Sequence, residues 1–559
     1  MFMSCPKLKN GATVVRLLVA FRKQDTGTPT NRTVKTIGQS KDPEEIKHFR
    51  EIGKGIIEDY KSGKVSLPDF SQNRRVNIYD LVGGSRYNKG FEDIFGHVYK
   101  KLNFSNLLTK GRNTINLNEV LKYAVLMRAY EPCSKRRSSV QLEKYFNKDI
   151  SLRRILFMMD RVSDNEEELK NQVFKTLLAG KKHLKLLLFD VTTLYFESVR
   201  ADNLRDFGFG KDGKNGEVQI VLAVLSDKDG MPLSYEIFPG NTAETKTFSQ
   251  VIDSFIKQQS VDKISVVADR GMFSENNLSY LDSLNEEKGN TKAEYIVSAT
   301  LKRLPAKMKK EIFEFKEKVQ TDIQIKAQNK NRDISLYSEN QFCALRHKKR
   351  RIIISFSQKR ESRDRAKREK ILDKLSKVTD KEDKIAASNI QINKGIGRYA
   401  KKESSKKTES YVVDRNKIEE DAKWDGIYGL CTNRTAKPQV IFKNYRRLWK
   451  IEELFRINKH TLSMRPIYHW KPERIHAHIF ICFLAYTLLK YTEIELKNAG
   501  ISYSIGTILN ALKDVETYLV RDGRKKSSTS YGIPRELPKK AQKIYKALSI
   551  KYSKRPYKI

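Results

Sequence analysis

The sequence predicts a multidomain α/β protein with a mixed β-sheet at its core, and three observations lead to this fold class. The chain has 559 residues, too many for one ordinary hydrophobic core, so roughly two to four domains are expected. Hydrophobic residues make up 39% of the chain, which is enough to build folded cores. Between residues 181 and 300, short apolar runs alternate with amphipathic stretches, which is typical of strands joined by helical crossovers.

The N-terminal third predicts two smaller domains. Residues 12–37 read as two strands around a Gly/Pro/Asn turn, and a helix is expected over 43–61, which together make a small α+β module within residues 1–80. Residues 81–180 show helical spacing with few strand signals, as in NEVLKYAVLMRAY, and predict a helical domain.

Residues 181–300 predict the first part of the core. Three strands come first as a meander, and then a helix, a strand, a second helix and a last strand follow. The five apolar runs that predict the strands are LKLLLFDV (184–191), VQIVLAVLSD (218–227), PLSYEIFPG (232–240), KISVVADR (263–270) and EYIVSAT (294–300).

Residues 301–430 break this alternation and predict an insertion domain, separable from the core. Its segment Lys359–Lys377 holds nine basic and four acidic residues with little apolar periodicity, so it is either a solvated helix or one that faces nucleic acid. The second part of the core is expected over 431–500, where residues 440–462 predict one long helix. Residues 501–559 are predicted to be a basic C-terminal segment with little core.

The charge balance indicates a polyanionic partner. Lys and Arg number 109 against 67 Asp and Glu, which gives a formal net charge of +42. Such a surplus repels itself unless a polyanion relieves it, and phosphate neutralisation drives nucleic-acid binding. A merely solvated, lysine-rich surface is the alternative.

The cysteines and the apolar runs exclude several other classes. The five cysteines lie far apart without a CxxC pair, which argues against a zinc ribbon and a disulfide framework. The N-terminus MFMSCPKLKNG has no apolar signal region, and the longest apolar run, 479–489, is shorter than the ~20 residues of a membrane span. We therefore expect a soluble intracellular protein with neither a membrane nor a small molecule as its partner.

Two aspartates stand at the ends of predicted core strands. Asp190 and Asp269 each follow an apolar run, and active sites in α/β sheets lie at strand ends. If the two strands are neighbours, their carboxylates meet, and such oxygen ligands suit Mg²⁺ or Mn²⁺. Either aspartate alone is equally compatible with a cap on the following turn.

A third carboxylate lies on the predicted helix 440–462. Tyr445, Glu452 and Lys459 are spaced by seven residues, and each step of ~700° leaves them on one helix face. Arg456, four residues after Glu452, falls on the same side, whereas Glu453 is ~100° away. An ordinary solvated helix with a Glu–Arg pair is the alternative.

Together these motifs resemble those of bacterial insertion-sequence transposases of the DDE class. The helix is similar to the subgroup signature Y-x2-R-x3-E-x6-K: Tyr445, Glu452 and Lys459 match it, and Leu448 stands at the arginine position, where Arg447 or Arg456 could substitute. FDVTTLYFES, GFGKDGK, FPGNTAETKTF, VVADRGM and RPIYHWKPERIHAHIFICFLAY also look like one branch of this family. The resemblance covers roughly residues 185–490.

The resemblance implies an RNase H-like core, interrupted by the insertion, with Asp190, Asp269 and Glu452 as catalytic residues that bind two Mg²⁺ or Mn²⁺ ions. It implies that Tyr445, Arg456 and Lys459 contact DNA, and that the 1–80 module binds DNA too. The activity implied is cleavage at terminal inverted repeats and transfer of the 3′-hydroxyl ends into target DNA. The implied partners are double-stranded DNA and a second copy of the chain in the synaptic complex.

Two rival functions remain open from the sequence. One is a structure-selective or repair nuclease on the same RNase H-like fold, which cuts DNA without strand transfer. The other is a catalytically decayed DNA-binding protein, for which Leu448 at the signature arginine position is the one argument. In each case we expect a cytoplasmic, nucleoid-associated bacterial protein.

Overall fold

The structure is a computed structural model, and the chain forms two compact units. The smaller comprises Met1–Ser85, Tyr518–Ile533 and Arg555–Ile559, and the larger comprises Arg86–Thr517 and Pro534–Lys554. The six-segment division predicted from the sequence stays a prediction. The residues described are 1–8, 10–22, 28–61, 81–108, 117–179, 186–208, 216–259, 263–269, 274–285, 292–328, 341–379, 384–386, 395–403, 410–522 and 530–559.

The smaller unit begins with an antiparallel sheet covered by one helix. Its elements are β1 (Phe2–Ser4), β2 (Thr13–Arg22), β3 (Pro29–Ser40) and α1 (Pro43–Lys61). The sheet order is β1-β2-β3, and α1 lies so close to β3 that a Cβ at Gly38 would meet the Phe49 ring at 2.6 Å. The predicted strand pair and the predicted helix over 43–61 are confirmed.

The larger unit begins with five helices that follow β4 (Leu81–Asn88). They are α2 (Lys89–Lys101), α3 (Leu117–Tyr130), α4 (Lys135–Phe146), α5 (Leu152–Asp164) and α6 (Glu166–Leu178). The side chains of Asn88, Ser134 and Ser151 accept backbone N–H groups at the starts of α2, α4 and α5, as N-caps do. The predicted helical stretch is confirmed.

The central sheet contains the predicted meander and crossovers. Its first five strands are β5 (Leu187–Tyr195), β6 (Gln219–Asp227), β7 (Pro232–Pro239), β8 (Lys263–Ala268) and β9 (Lys292–Ser298), with helices α7 (Glu244–Gln259) and α8 (Glu275–Ser283) between the later ones. β5, β6 and β7 pair antiparallel, whereas β5–β8 and β8–β9 pair parallel. Residues 209–214 of GFGKDGK and 270–272 of VVADRGM lie outside the described residues.

The stretch expected to be a separable insertion instead contributes strands to the central sheet. After α9 (Ala306–Gln328) come β10 (Gln341–His347) and β11 (Arg350–Phe356), and then α10 (Gln358–Ser376). Within the described residues the sheet has eight strands, in the order β10-β11-β15-β9-β8-β5-β6-β7, where β15 is Ile427–Thr432. Ile352, Ile353, Ile354 and Phe356 of β11 are buried, whereas β10 is a partly exposed edge strand, so β11 belongs to the core.

A smaller part of that stretch has its own core. It contains β12 (Lys384–Ala386), β13 (Ala400–Glu403), β14 (Ser410–Val413) and α11 (Arg415–Lys423), and its sheet order is β12-β14-β13. Leu375, Ile385, Ile396 and Tyr399 pack together there as a separate cluster. This part fits the expected insertion better than the full range 301–430.

The predicted long helix 440–462 is three consecutive pieces. These are α12 (Pro438–Arg446), α13 (Trp449–Arg456) and a π-helical turn (Ile457–Thr461), with a turn at Arg447 and Leu448 between the first two. The prediction of one continuous helix is therefore wrong. The predicted second helix is confirmed as α14 (Pro472–Asn498), whose buried residues lie on all sides, since it packs against α2, α3, α5 and β7.

The C-terminal segment has more core than the sequence indicated. Helices α15 (Ile505–Lys513) and α16 (Lys539–Ala547) bury Ile508, Leu512, Ile544 and Tyr545 in the cluster that also contains α14. Strands β16 (Glu516–Asp522), β17 (Ser530–Pro534) and β18 (Tyr557–Lys558) form a four-stranded sheet in the order β18-β17-β16-β4. Within the described part of the chain, no helix is both long and apolar enough to cross a membrane.

Candidate active site

The parallel pairing of β5 and β8 brings two aspartates side by side. Phe189 of β5 is paired with Ala268, the last residue of β8, so the next residues are Asp190 and Asp269. Paired positions on neighbouring strands project from the same face of a sheet. Asp269 follows its strand, as expected, but Asp190 lies inside β5, which continues to Tyr195. The Asp190 Oδ1 atom accepts the Val191 N–H at 2.8 Å.

The face that carries Asp190 is the face on which the glutamate helix packs. Side chains alternate along β5, so Leu188 and Leu194 share the face of Asp190. Both leucines belong to the hydrophobic cluster that contains Ile451 and Leu454 of α13. Helix α13 therefore lies over the aspartates, because its apolar side must cover this face of the sheet.

Glu452 and Glu453 have different surroundings, although they are adjacent in the sequence. Glu452 is exposed and lines a cavity together with Asp269. Glu453 forms ion pairs with Lys450 and Lys490, each at 3.4 Å, and with Arg456 at 3.9 Å. Glu452 therefore shares a cavity with Asp269, whereas Glu453 is engaged in ion pairs, and the choice of Glu452 as the third carboxylate stays a prediction.

Tyr445 contacts one of the aspartates. Its hydroxyl donates a long hydrogen bond of 3.4 Å to Asp269 Oδ1 and accepts one of 2.8 Å from the Tyr428 hydroxyl. Burial, and after it the neighbouring Tyr428, raises the pKa of the Tyr445 phenol, so it remains a proton donor. The sequence assigned Tyr445 to DNA; in the structure it also connects α12 to the carboxylate after β8.

The cavity has a volume of about 680 Å³ and a basic wall. Its cationic lining residues come from the start of α10 and the end of α12, and they are Lys359, Arg360, Arg363 and Arg446. The Arg360 guanidinium lies 4.5 Å from the centre of the Tyr428 ring. The four cations outnumber the two carboxylates that line the cavity, as suits a site for a polyanion.

The sequence does not indicate that these four cations belong to the site. The basic run from Lys359 was visible, and contact with nucleic acid was one of its two interpretations. Its distance from Glu452 along the chain gave no signal that its first turns border the acidic residues. Only the pairing of β11 with β15 brings α10 to this side of the sheet.

Arg456 and Lys459 do not share the cavity with Tyr445 and Glu452. Neither is among the described residues that line it. Lys459 lies in a π-helical turn, which interrupts the 100° steps on which the predicted stripe depended. Arg456, on the same helix as Glu452, pairs with Glu453 at 3.9 Å. The stripe is therefore divided after Glu452.

Leu448, at the signature arginine position, is buried and lines the cavity. Arg447 does not substitute for an arginine there, because it donates to the Lys228 carbonyl at 3.1 Å and pairs with Asp229 at 3.6 Å. Arg446, the residue before it, does line the cavity. A guanidinium is thus present beside Leu448, but it comes from a neighbouring position.

The donor chemistry of the site suits a hard divalent cation. Carboxylate oxygens from two adjacent strands and one covering helix are the ligands that Mg²⁺ and Mn²⁺ prefer. Among the described residues, however, no group of three or more His, Cys, Asp or Glu side chains is already close enough to hold one ion. Asp190, Asp269 and Glu452 therefore fit a divalent cation by the type of their donor atoms.

The sheet order and the carboxylates at its parallel strand ends define an RNase H-like α/β protein with an acidic site. The family model described as Transposase DDE domain matches residues 181–488, more than half of the chain. The chain belongs to this family. DDE transposases use divalent metal ions, which agrees with the donor set described above.

Two solved structures show distant similarity to the chain. A Mos1 transposase paired-end complex with left transposon end is 12% identical, with a TM-score of 0.14, over 33% of this chain and 60% of that chain. The Mos1 mariner paired end complex with Mn is 12% identical, with a TM-score of 0.13, over 36% of this chain and 65% of that chain. The chain thus spans less than two thirds of each. No curated protein matches the chain.

Proposed function

We propose that the chain is an insertion-sequence transposase that cuts DNA at the terminal inverted repeats of its element and joins the 3′-hydroxyl ends to target DNA. One observation carries the proposal. Asp190 and Asp269 are next to each other on parallel strands, and Glu452 faces the same basic cavity as Asp269. Membership of the Transposase DDE domain family supports this assignment.

The proposed catalytic residues are the three carboxylates Asp190, Asp269 and Glu452. Two bound Mg²⁺ or Mn²⁺ ions would supply activation of the attacking oxygen and stabilisation of the leaving oxygen. The carboxylates would hold those ions, and the pairing of β5 with β8 places Asp190 and Asp269 in register. The Tyr445 hydroxyl orients Asp269 through its hydrogen bond.

The basic wall of the cavity is proposed to position the DNA. Arg360, Arg363 and Arg446 offer planar guanidinium groups that match phosphate oxygens, and Lys359 adds a fourth charge. Arg456 and Lys459 extend this basic surface beyond the cavity. Since such contacts go to phosphates, they fix the register of the duplex without reading its bases.

The proposed partners are two element ends, a target duplex and a second copy of the chain. Several duplexes held together repel one another strongly, and the net charge of +42 offsets part of this repulsion. A homodimer would place one acidic site at each element end.

The direct test incubates the purified protein with Mg²⁺ and a labelled duplex that contains the terminal inverted repeat. We expect cleavage at the element end followed by joined products of higher mass, and neither product with Glu452→Gln. Cleavage without joined products would contradict the proposal in favour of a nuclease, and binding without cleavage would contradict any catalytic role.

A further inference from the structure

A second basic cavity lies in the helical part of the larger unit. Its volume is about 680 Å³, and it is bounded by the N-terminus of α4 and by residues 463–469, which connect the glutamate region to α14. Arg128, Lys135, Arg136 and Arg137 line it, and none of its lining residues carries a carboxylate. The cavity is separate from the one that contains Glu452, since the two share no lining residue.

Lys135 is a buried cation without a counter-ion. Only 5% of its surface is exposed, and no described residue forms an ion pair or a hydrogen bond with its ammonium group. Lysine is almost never so fully buried unless it is paired, because its charge loses hydration without compensation. Lys170 shows the usual arrangement: it is 4% exposed and pairs with Glu167 at 2.6 Å and Glu236 at 3.1 Å.

Arg128 adds a second uncompensated charge to the same cavity. It is also 5% exposed, and among the described residues its guanidinium donates only to backbone carbonyls, those of Cys133 at 3.0 Å and of Leu462 and Ser463 at 3.4 Å. Its Nε atom is buried without a hydrogen-bond partner. Backbone carbonyls hold the group in place but leave its charge unneutralised.

The effect of these two charges is visible on their neighbours. Burial, and after it Lys135 and Arg128, lowers the pKa of His469 to about 4. The pKa of buried His478 is lowered by burial and by the same two cations. Both imidazoles are therefore neutral at physiological pH and can donate or accept hydrogen bonds in the cavity.

The start of α4 strengthens the positive potential. Ser134 caps the helix, and its first turn contains no acidic residue that would offset the free N–H groups and the helix dipole. A helix N-terminus of this kind favours phosphate groups. Here it coincides with two buried cations that lack a carboxylate partner.

We propose that this cavity binds a phosphate group of the nucleic-acid backbone, as a second DNA contact away from the acidic site. The assignment to DNA rests on the proposed function. Tyr468 and Trp470, at the edge of the cavity and just beyond it, are 66% and 70% exposed, and exposed aromatic side chains beside cations are typical of nucleic-acid surfaces.

The cavity lies within reach of a duplex held at the acidic site. The Ile467 N–H donates to the Tyr195 carbonyl at the end of β5. Tyr195 is five residues beyond Asp190 on that strand, or roughly 17 Å. Phosphates along one DNA strand are spaced by about 3.4 Å per base pair along the axis, so about five nucleotides cover this distance.

The test compares Lys135→Met with Lys170→Met, which removes the charge of an equally buried but paired lysine. Exposed Lys175 on α6 provides a second control, Lys175→Met, in case Lys170→Met does not fold. In thermal unfolding below the Lys135 pKa of about 7, where this lysine is protonated, inorganic phosphate should raise the Tm of the wild type and of a folded control by more than that of Lys135→Met, which keeps only the phosphate response of the basic wall beside Glu452. Lys135→Met should itself unfold at or above the wild-type Tm, since it removes an unpaired buried charge.

The second arm measures binding of element-end duplex over a range of salt concentrations. Lys135→Met should weaken binding roughly tenfold and reduce the slope of log K against log salt by about one. An equal phosphate response in wild type and Lys135→Met would overturn the site. Lost phosphate binding with unchanged DNA binding would overturn the DNA assignment in favour of a free phosphate.

The phosphate arm uses no DNA, so its outcome is independent of transposition. If the wild type failed to cut element ends while Lys135→Met lost both phosphate and DNA binding, the pocket would stand and the proposed function would fail. If the wild type cut normally and Lys135→Met bound phosphate and DNA as the wild type does, only the pocket would be contradicted.

Discussion

Asp190 illustrates how one residue position serves both the sheet and the site. Its neighbours Phe189 and Val191 point to the opposite face and pack in the cluster that contains Phe248 of α7. The strand is thus anchored by its odd-numbered residues, while Asp190 faces α13. A strand can carry a carboxylate in its middle here because β8 ends beside it, at Ala268.

The three carboxylates give the first prediction. Asp190→Asn, Asp269→Asn and Glu452→Gln should each abolish cleavage of element ends, because each removes a charged oxygen ligand while keeping the side-chain shape. DNA binding, measured by fluorescence anisotropy in the absence of divalent ions, should remain close to that of the wild type. Cleavage at the wild-type rate by any one variant would remove that residue from the site.

The second prediction concerns Glu453 and distinguishes an effect on stability from an effect on catalysis. Its carboxylate pairs with Lys490, a buried lysine on α14 that also pairs with Glu493. Glu453→Gln should therefore lower the free energy of unfolding by about 1–3 kcal/mol, measured with urea. Cleavage below the unfolding transition should be retained. Lost cleavage with unchanged stability would mean that Glu453, not Glu452, is the catalytic glutamate.

Lys135 gives a prediction of pH dependence. Burial, and then the Arg128 charge, lowers the pKa of Lys135 from its usual value of 10.5 to about 7, against the opposing effect of Cys133 and Cys482. The unfolded chain keeps the higher pKa and so binds more protons between about pH 7 and 10.5. This group therefore makes stability increase with pH across that window.

Urea unfolding at several pH values between 7 and 9 measures this effect. In Lys135→Met the free energy of unfolding should increase less with pH than in the wild type, because this lysine is absent. In Lys175→Met it should increase as in the wild type. His469 and His478 do not contribute in this window, because their lowered pKa values leave both neutral throughout. Equal slopes in wild type and Lys135→Met would show that Lys135 is charged in the folded protein across this range.

At this scale the sequence indicates the candidate acidic residues, but not the cations that lie near them. Apolar runs that end in aspartate locate Asp190 and Asp269, and the seven-residue spacing selects Glu452. The contact between Tyr445 and Asp269 could not be predicted, because it depends on the packing of α12 against β8 and β9. Arg360 and Arg363 could not be assigned either, since their place follows from long-range strand pairing.

At the scale of elements, the break between α12 and α13 could not be predicted, because the helical periodicity of the sequence continues through it. Arg447 and Leu448 keep right-handed helical dihedrals, with φ of −68° and −56°. Their sequence therefore looks continuous with the helices on both sides. Arg447 is held by the Lys228 carbonyl and Asp229 in the turn between β6 and β7, a tertiary contact that no local pattern reveals.

The next prediction concerns whether residues 301–430 can be removed without unfolding the rest of the protein. Replacing all of them with a Gly/Ser linker should abolish cooperative folding, because β11 pairs with β15, and β15 pairs with β9. Replacing only residues 378–414 should leave a folded protein, since the small sheet there packs mainly in its own cluster. Thermal unfolding by circular dichroism checks both variants. A cooperative transition in the larger deletion would mean that β10 and β11 are dispensable for the core.

At the scale of the whole molecule, the strand meander, its crossovers and the helical stretch before it follow from apolar patterning. The core formed by the C-terminal segment could not be predicted from apolar patterning, because α15 and α16 contribute few buried residues each. Among them are Ile508, Leu512, Ile544 and Tyr545. Their burial depends on α14, which is apolar on all sides. Helices from both ends of the larger unit pack against it. Short helices that pack on such a core have few apolar residues, so their own sequences show only a weak helical pattern.

Transfer of the 3′-hydroxyl by the three carboxylates can be tested with an element end that has already been cut. A labelled end with a terminal 3′-hydroxyl is incubated with the protein, Mg²⁺ and a target plasmid, beside the same end with a 3′-deoxy terminus. We expect that the hydroxyl end becomes joined to the plasmid, that the deoxy end does not, and that Glu452→Gln joins neither. Joining of the deoxy end, or joining by Glu452→Gln, would contradict direct transfer of the 3′-hydroxyl by the three carboxylates.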